Sequence, residues 1–239
     1  MFFILKINIL LRFQPLSLLQ KQKYMNAKTI FITGIGTDVG KTVIAAIFVE
    51  ALRADYWKPV QAGNLDYTDS DKVKALISND LSIIKTEAYR LQTPASPHLA
   101  AAIDGVNISK SALTPPQNPT RHLIVEGAGG LMVPLRSDYL WSDWLSENPL
   151  PVVVVSRNYL GSINHTLLTI NALQQKKIPI LGIVFNGVPN ESTESVIEAQ
   201  TGLPVLLRVS EEAVIDKKMI LRYAEILQTN LQKLNISLI

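Results

Sequence analysis

The stretch TGIGTDVGKT, residues 33–42, decides the fold of this chain. The four residues before it, Thr29-Ile30-Phe31-Ile32, are β-branched or aromatic and predict a buried strand. Residues 43–53 predict a helix with an apolar face. A strand, a glycine-containing loop and a helix in this order predict a phosphate-binding loop.

The loop has the residue types that bind phosphate. It contains three glycines, Gly34, Gly36 and Gly40. They let backbone N–H groups face the phosphates, and the helix N-terminus adds a partial positive charge. Lys41 is predicted to reach the β- and γ-phosphates and Thr42 to bind Mg²⁺. The loop is one residue longer than the common pattern, with Ile35 where that pattern has its first glycine. A glycine-rich turn without a ligand stays open as an alternative.

Composition bounds the class of protein. A chain of 239 residues with 47% apolar residues predicts one large α/β domain with a sizeable core. It contains no cysteine, which excludes a disulfide framework, a thiol nucleophile and a zinc–thiolate site. The formal charge is +3, but residues 1–24 hold four basic residues and no acid, which leaves −1 for the other residues. A nearly neutral body argues against a broad DNA-binding face.

Residues 1–24 differ from the rest of the chain. They are apolar and basic, and polar residues and Pro15 interrupt them, so they predict neither a membrane span nor a signal peptide. We expect a leader that is disordered or not translated, with translation from Met25 and a single domain over residues 25–239. A weak membrane or targeting segment is the alternative.

Strand and helix patterns alternate along the remaining chain. Strands are predicted at residues 56–57, 123–125, 152–155 and 205–207, and another in IPILGIVFNGV, residues 178–188, ending at Asn186. Helices are predicted at 99–103, from 163, at 191–200 and at 213–234. Ser162 is a candidate cap for the helix from 163. This alternation predicts a P-loop NTPase-like α/β domain, whose mostly parallel sheet has helices on both faces.

Charged residues follow the second predicted strand. Lys58 lies at its carboxyl end, the edge of a parallel sheet where ligands bind, so it is either a solvated end residue or a ligand group. Asp66, Asp69 and Asp71 precede a helix for which Ser70 is a candidate N-cap. They either start that helix or supply a carboxylate to Mg²⁺ opposite the loop.

Glu126 is predicted to end the strand 123–125 and to be followed by a loop with Gly127, Gly129 and Gly130. An acid at a strand end that faces a phosphate loop is typical of Mg²⁺ sites in nucleotide enzymes. The histidines, His98, His122 and His165, lack metal-ligand spacing.

Six segments occur in order: TGIGTDVGKT, YWKPVQAG, TDSD, VEGAGGLMVPL, LGSINHTLLT and VFNGV. Together they strongly resemble the dethiobiotin synthase family over residues 29–186. The resemblance implies a cytoplasmic ligase that uses ATP and Mg²⁺ and forms C–N bonds. Such an enzyme carboxylates 7,8-diaminononanoate with CO₂ and closes a ureido ring, giving dethiobiotin, ADP and phosphate. It further implies a homodimer with an active site shared between subunits, and no nucleic-acid or membrane partner.

The resemblance also assigns roles residue by residue. The implied catalytic residues are Lys41 and Lys58, of which Lys58 meets the carbamate and the γ-phosphate. The implied ATP-binding residues are Gly36, Thr37, Asp38, Val39, Gly40, Lys41, Thr42, Asp71, Glu126 and Asn186, of which Asn186 meets adenine. The implied Mg²⁺ ligands are Thr42, Asp71 and Glu126. The implied substrate-binding residues are Thr37, Lys58, Ala62, Gly161, Ser162 and Asn164, the last three meeting the carboxylate tail across a dimer interface.

The chain departs from the family pattern at three places. Ala62 replaces a hydroxyl residue that contacts substrate or phosphate, and Asp38 stands where Glu is expected. Residues 207–210 lack a Gly-Glu-Ile-Pro-like loop that helps to hold the base. These departures bear on nucleotide affinity and selectivity.

Two other classes share parts of this pattern. A partition-type ATPase that binds DNA, membrane or a partner protein has the same loop, but it needs a second lysine near the loop start, where this chain reads Thr33-Gly34-Ile35. A glutamine-using synthetase needs a cysteine nucleophile, and the chain has none. The ATPase therefore stands as the alternative function.

Overall fold

The computed structural model describes residues 28–116 and 121–238. The predictions about residues 1–24 and about a start at Met25 lie outside the described residues. In the described part of the chain, no helix is both long and apolar enough to cross a membrane.

Strands and helices alternate as the sequence predicts. The strands are β1 (Thr29–Gly34), β2 (Asp55–Trp57), β3 (Val60–Ala62), β4 (Ile84–Lys85), β5 (Tyr89–Leu91), β6 (Leu123–Gly130), β7 (Pro134–Arg136), β8 (Tyr139–Leu140), β9 (Val152–Arg157), β10 (Ile180–Asn186) and β11 (Val205–Val209). The α-helices are α1 (Lys41–Leu52), α2 (Asp69–Leu76), α3 (Pro97–Ile103), α4 (Trp141–Glu147), α5 (Ser162–Gln175), α6 (Glu191–Thr201) and α7 (Lys217–Lys233).

Seven strands form the central sheet in the order β11-β10-β9-β1-β6-β2-β4, and every neighbouring pair is parallel. The central strands are apolar throughout, with Ile30-Phe31-Ile32 and the run Val152-Val153-Val154-Val155 fully buried. Continuous apolar strands are expected where both faces of a parallel sheet are covered by helices. The predicted fold class is confirmed.

The helices pack in two groups. Helix α1 packs against α2 and α7, and α5 packs against α6. On α4, Trp141 and Trp144 stack on Phe31 of β1 with ring centroids 5.4 and 5.5 Å away. The Trp141 indole also donates to the carbonyl of Ala128 at 3.1 Å. This aromatic cluster therefore fixes the carboxyl end of β6 beside β1.

Strand β6 is longer than predicted, because it continues through Gly130 and contains Glu126 instead of ending there. Gly127 and Gly130 allow β6 and β1 to pack closely. A β-carbon on Gly127 would lie 2.7 Å from the Phe31 ring, and Gly130 pairs directly with Gly34.

Several helix starts also differ from the prediction, and α1 and α3 each begin two residues earlier than predicted. Thr68, not Ser70, caps α2, and Gly161, not Ser162, is the N-cap of α5. Helix α7 begins at Lys217 instead of residue 213, because the Asp216 side chain accepts from the Met219 N–H and caps it. Several residues that can cap a helix occur near each of these starts, so the sequence alone does not show which of them is the N-cap.

Candidate active site

The loop between β1 and α1 has the geometry of a phosphate-binding loop. Its last residue, Gly40, caps α1 with φ of 91°, and Asp38 also adopts a left-handed φ of 56°. The Lys41 ammonium folds back over the loop and donates to the Gly36 carbonyl at 2.9 Å. Burial lowers the pKa of Lys41, and the neighbouring carboxylate of Glu126 acts in the opposite direction. The lysine is thus held over the loop cavity and not in the core.

Asn186, at the end of β10, supports this loop from the side. Its amide donates to the Val39 carbonyl at 2.8 Å. A β-carbon on Gly40 would lie 2.2 Å from the Asn186 amide nitrogen, so only glycine fits there. Asn186 thus lies against the loop, and it does not line the cavity described below.

Glu126 is the centre of the site. It is 1% exposed, and its Oε1 accepts from the Thr42 hydroxyl at 3.0 Å and from the Lys58 ammonium at 3.1 Å. Its Oε2 accepts from the Tyr56 hydroxyl at 2.8 Å. Burial and the adjacent Glu126 raise the pKa of Tyr56 well above its usual value, so the phenol remains a donor. A buried carboxylate needs such partners, and here it has three.

Lys58 follows β2 and joins two carboxylates. It lies between Glu126 and Asp69, the first residue of α2, and donates to both. Burial opposes its charge, but Glu126 and Asp69 outweigh that effect and raise the pKa of Lys58. The pKa of Asp69 falls from 3.8 to about 2, because Lys58 and Lys72 outweigh its own burial. At neutral pH the pair is therefore an ammonium and a carboxylate.

The structure does not bring Asp71 to the cavity wall, and its role in binding ATP and Mg²⁺ stays a prediction. The Asp71 side chain accepts from the backbone and hydroxyl of Thr68, in a capping box at the start of α2. It is exposed, whereas Asp69 lines the cavity. The first residue of a helix and the third point in different directions, so only one of them can face Lys58.

A cavity of about 700 Å³ lies beside the loop. Among the predicted site residues it is lined by Thr37, Asp38, Gly40, Lys41, Thr42, Lys58, Ala62 and Glu126. Gly36 and Val39 belong to the loop but not to the cavity wall. The cavity therefore joins the predicted phosphate end to Lys58 and Ala62.

The three residues predicted to hold the substrate tail lie outside this cavity in the single chain. Gly161 has φ of 101° at the start of α5, and Asn164 is exposed. The Ser162 side chain is buried, with a hydroxyl that has no hydrogen-bond partner among the described residues. Leu160, beside them, is fully exposed.

Sequence reasoning missed several residues of the site. The sequence predicts only a short strand at Tyr56, and the contact of its hydroxyl with Glu126 has no local signal. Gln61 is 4% exposed and spans the cavity wall, since it accepts from the Asp69 N–H at 3.3 Å and donates to the Gly63 carbonyl at 2.9 Å. The acidic residues around the start of α2 indicated that a carboxylate lies near the loop, but the sequence alone could not show that Asp69 is the one that lines the cavity.

The donor atoms around the loop fit Mg²⁺. Within residues 28–116 and 121–238, no group of three or more His, Cys, Asp or Glu side chains could hold a metal. Mg²⁺ in nucleotide enzymes needs fewer protein ligands, because water and phosphate oxygens complete its shell. The Thr42 hydroxyl and Glu126 carboxylate, 3.0 Å apart, with Asp69 beyond Lys58, are hard oxygen donors of this kind.

Comparison with known proteins gives consistent results. A family model described as "AAA domain" matches residues 28–219. A protein of Christiangramia forsetii named ATP-dependent dethiobiotin synthetase BioD is 49% identical over 198 residues, which cover 83% of this chain and 95% of that protein. The protein of the same name from Cytophaga hutchinsonii is 48% identical, over 82% of this chain and 95% of its own length.

Solved structures show the same fold at much lower identity. The cell division ATPase MinD of Pyrococcus furiosus aligns with a TM-score of 0.53 and 14% identity, over 87% of this chain and 100% of its own. A putative plasmid partition protein of Borrelia burgdorferi bound to AMPPNP aligns with a TM-score of 0.56 and 12% identity, over 86% of this chain and 98% of its own. Likeness at this identity shows the fold alone and does not favour the partition-type alternative.

The curated relatives match nearly from end to end at about half identity, and the predicted loop, lysines and glutamate meet in one cavity. This chain belongs to the family of ATP-dependent dethiobiotin synthetases.

Proposed function

We propose that this protein is a dethiobiotin synthetase that carboxylates 7,8-diaminononanoate with CO₂ and closes the ureido ring at the expense of ATP. The observation that carries the proposal is the cavity in which Lys41 and Lys58 flank the buried Glu126 beside a phosphate loop. The products are dethiobiotin, ADP and phosphate.

The chemistry requires cations at defined places. An amine of the substrate adds to CO₂ and loses a proton to give a carbamate, which is a poor electrophile. A carbamate oxygen then attacks the γ-phosphorus of ATP, and ADP leaves. Both reacting groups are anions, so catalysis consists mainly of positioning and charge stabilisation. Lys41 and Lys58 provide that charge, and the raised pKa of Lys58 keeps it an ammonium.

Ring closure follows in the same cavity. The second amine attacks the carbonyl carbon of the carbamic–phosphoric anhydride, and phosphate leaves with the electron pair of the broken C–O bond. The attacking nitrogen gives up its proton, and the ureido ring is complete. The reaction needs no serine or cysteine nucleophile. The protein holds the two ends in place and keeps the anhydride from water.

Mg²⁺ is the implied metal, and Thr42, Glu126 and Asp69 are the residues that would hold it. When bound, it neutralises charge on the phosphate oxygens. Gly36, Thr37, Asp38, Val39 and Gly40 would surround the phosphates with backbone N–H groups, and Asn186 would lie near adenine. Thr37, Lys58 and Ala62 would face the diamine.

The substrate tail requires a second subunit in this proposal. Gly161, Ser162 and Asn164 lie outside the cavity of their own chain, beside the exposed Leu160 and Leu168. A homodimer that covers this surface would bring the start of α5 to the neighbouring cavity, where free N–H groups of the helix suit a carboxylate. We place the enzyme in the cytoplasm, where ATP is supplied.

The test is product formation by the purified full chain. With ATP, Mg²⁺, bicarbonate and 7,8-diaminononanoate, we expect dethiobiotin and ADP in equal amounts, measured by mass spectrometry and a coupled ADP assay. Lys41→Met is the inactive control. ATP hydrolysis that DNA or lipid stimulates, without dethiobiotin formation, would contradict the proposal and favour the partition-type ATPase.

A further inference from the structure

A third lysine reaches the wall of the same cavity. Lys72 lies on α2, three residues after Asp69, and its ammonium is 2.9 Å from Asp69 Oδ1. Its side chain is 41% exposed, whereas that of Lys58 is 7% exposed. Lys72 lines the cavity together with Lys41 and Lys58, and the mechanism above gives it no role.

The polar side chains of the cavity form a continuous row. Thr42 contacts Glu126, Glu126 contacts Lys58, Lys58 contacts Asp69, and Asp69 contacts Lys72. Thr42 marks the phosphate end, since it follows Lys41 at the start of α1. Lys72 is at the opposite end of the row. An anion bound there would lie at the end of the row away from Thr42.

Lys72 has more free donor capacity than Lys58. Two carboxylates already engage the buried Lys58 ammonium. In the described part of the chain, the Lys72 ammonium has a single carboxylate partner, Asp69, and it is open to the cavity on its other side. An ammonium has three N–H donors, so a second anion can join without displacing Asp69.

We propose that Lys72 binds the anionic acceptor, the carbamate formed on the diamine, while Lys41 serves the phosphates of the nucleotide. This inference rests on the proposed function and adds a substrate-binding residue to it. Lys72 would hold the carbamate carboxylate so that its oxygen points along the row toward Lys58 and the γ-phosphate.

A purely structural role for Lys72 makes a different prediction. Pairs at i and i+3 on a helix surface contribute little to stability and do not depend on substrate. Such a pair would leave the KM of the diamine unchanged when it is removed. The KM of the acceptor, compared with the affinity for nucleotide, therefore separates the two roles.

The experiment uses three variants of the full chain. Lys72→Met removes the charge and keeps a good helix former, Lys72→Arg keeps the charge, and Lys74→Met removes an exposed lysine of the same helix that does not line the cavity. The KM for 7,8-diaminononanoate is measured at fixed bicarbonate and ATP. The Kd of a non-hydrolysable ATP analogue with Mg²⁺ is measured by calorimetry, and thermal unfolding confirms that each variant is folded.

We expect Lys72→Met to raise the diamine KM about fivefold, the upper end of the range for one partly exposed charge contact, and to leave the nucleotide Kd within about twofold. Lys72→Arg should recover most of the loss, and Lys74→Met should change neither quantity. An unchanged KM in Lys72→Met, or an equal rise in nucleotide Kd, overturns the assignment. Wild-type protein that makes no dethiobiotin overturns the proposed function as well, so the two failures are distinguishable.

Discussion

Replacing Asp69 by Asn tests the ion pairs at the centre of the site. Burial alone would raise the pKa of Asp69, but Lys58 and Lys72 lower it from 3.8 to about 2. A difference of this size corresponds to about 2 kcal/mol of folding free energy. Because the pKa is depressed in the folded protein, this stabilisation is complete above about pH 4 and is lost as the pH falls toward 2.

The assay is denaturant unfolding of the wild type, Asp69→Asn and Asp71→Asn between pH 7 and pH 2. At neutral pH we expect Asp69→Asn to be less stable than the wild type by about 2 kcal/mol, and this difference should close as the pH approaches 2. Titration of other groups cancels in the difference. A gap that is absent at pH 7, or that stays constant down to pH 2, would refute the role of the two ammonium groups.

The same variants decide between Asp69 and Asp71 as the Mg²⁺ carboxylate of α2. Asp69 lines the cavity and Asp71 caps the helix. We therefore expect Asp69→Asn to raise the Mg²⁺ concentration needed for half-maximal turnover, whereas Asp71→Asn leaves it near that of the wild type. The opposite pattern would identify Asp71 as the metal carboxylate.

Three further outcomes are expected. Lys41→Ala should lower turnover by about 10²–10³-fold with the fold intact, because one contact to the charge of the transition state is lost. Near-normal turnover would contradict the assignment of residues 33–42 as a phosphate-binding loop. Tyr56→Phe should destabilise the protein by about 1.5–3 kcal/mol in chemical unfolding, because the buried Glu126 carboxylate loses the hydrogen bond from the Tyr56 hydroxyl. A change in the free energy of unfolding under about 0.5 kcal/mol would contradict that contact. Lys58→Ala and Asn164→Ala subunits, mixed and reannealed, should recover up to about a quarter of wild-type activity, since about half of the dimers are mixed and each has one intact site. Activity that equals only the average of the two variants, after subunit exchange is confirmed, rejects the shared site.

The sequence alone determined the architecture and the phosphate end of the site. The strand, the glycine loop and the helix around Lys41 are local features, because a turn with left-handed residues needs glycine and the lysine follows within one residue of it. The buried strands were equally visible, since a parallel sheet covered on both faces needs continuous apolar runs such as 152–155. The resemblance then predicted Lys58 and Glu126 as site residues and indicated the reaction.

Only the tertiary structure decided which side chains meet. Asp69 and Asp71 are two residues apart in an acidic stretch, and composition treats them alike. The start of α2 at Thr68 turns Asp69 toward Lys58 and leaves Asp71 at the cap. Tyr56 and Glu126 are 70 residues apart, and their contact exists because β2 pairs with β6.

The tertiary structure also decided which side chains lie near Asp69 at the wall of the cavity. Lys72 contacts Asp69 because it lies about one turn further along α2, and Gln61 contacts the Asp69 N–H from β3. Side-chain chemistry is local, whereas the direction of a side chain depends on the helix start, the strand register and the packing that fix its backbone. For this reason the sequence determined the fold and the phosphate loop, and the three-dimensional structure determined the row of charges from Thr42 to Lys72.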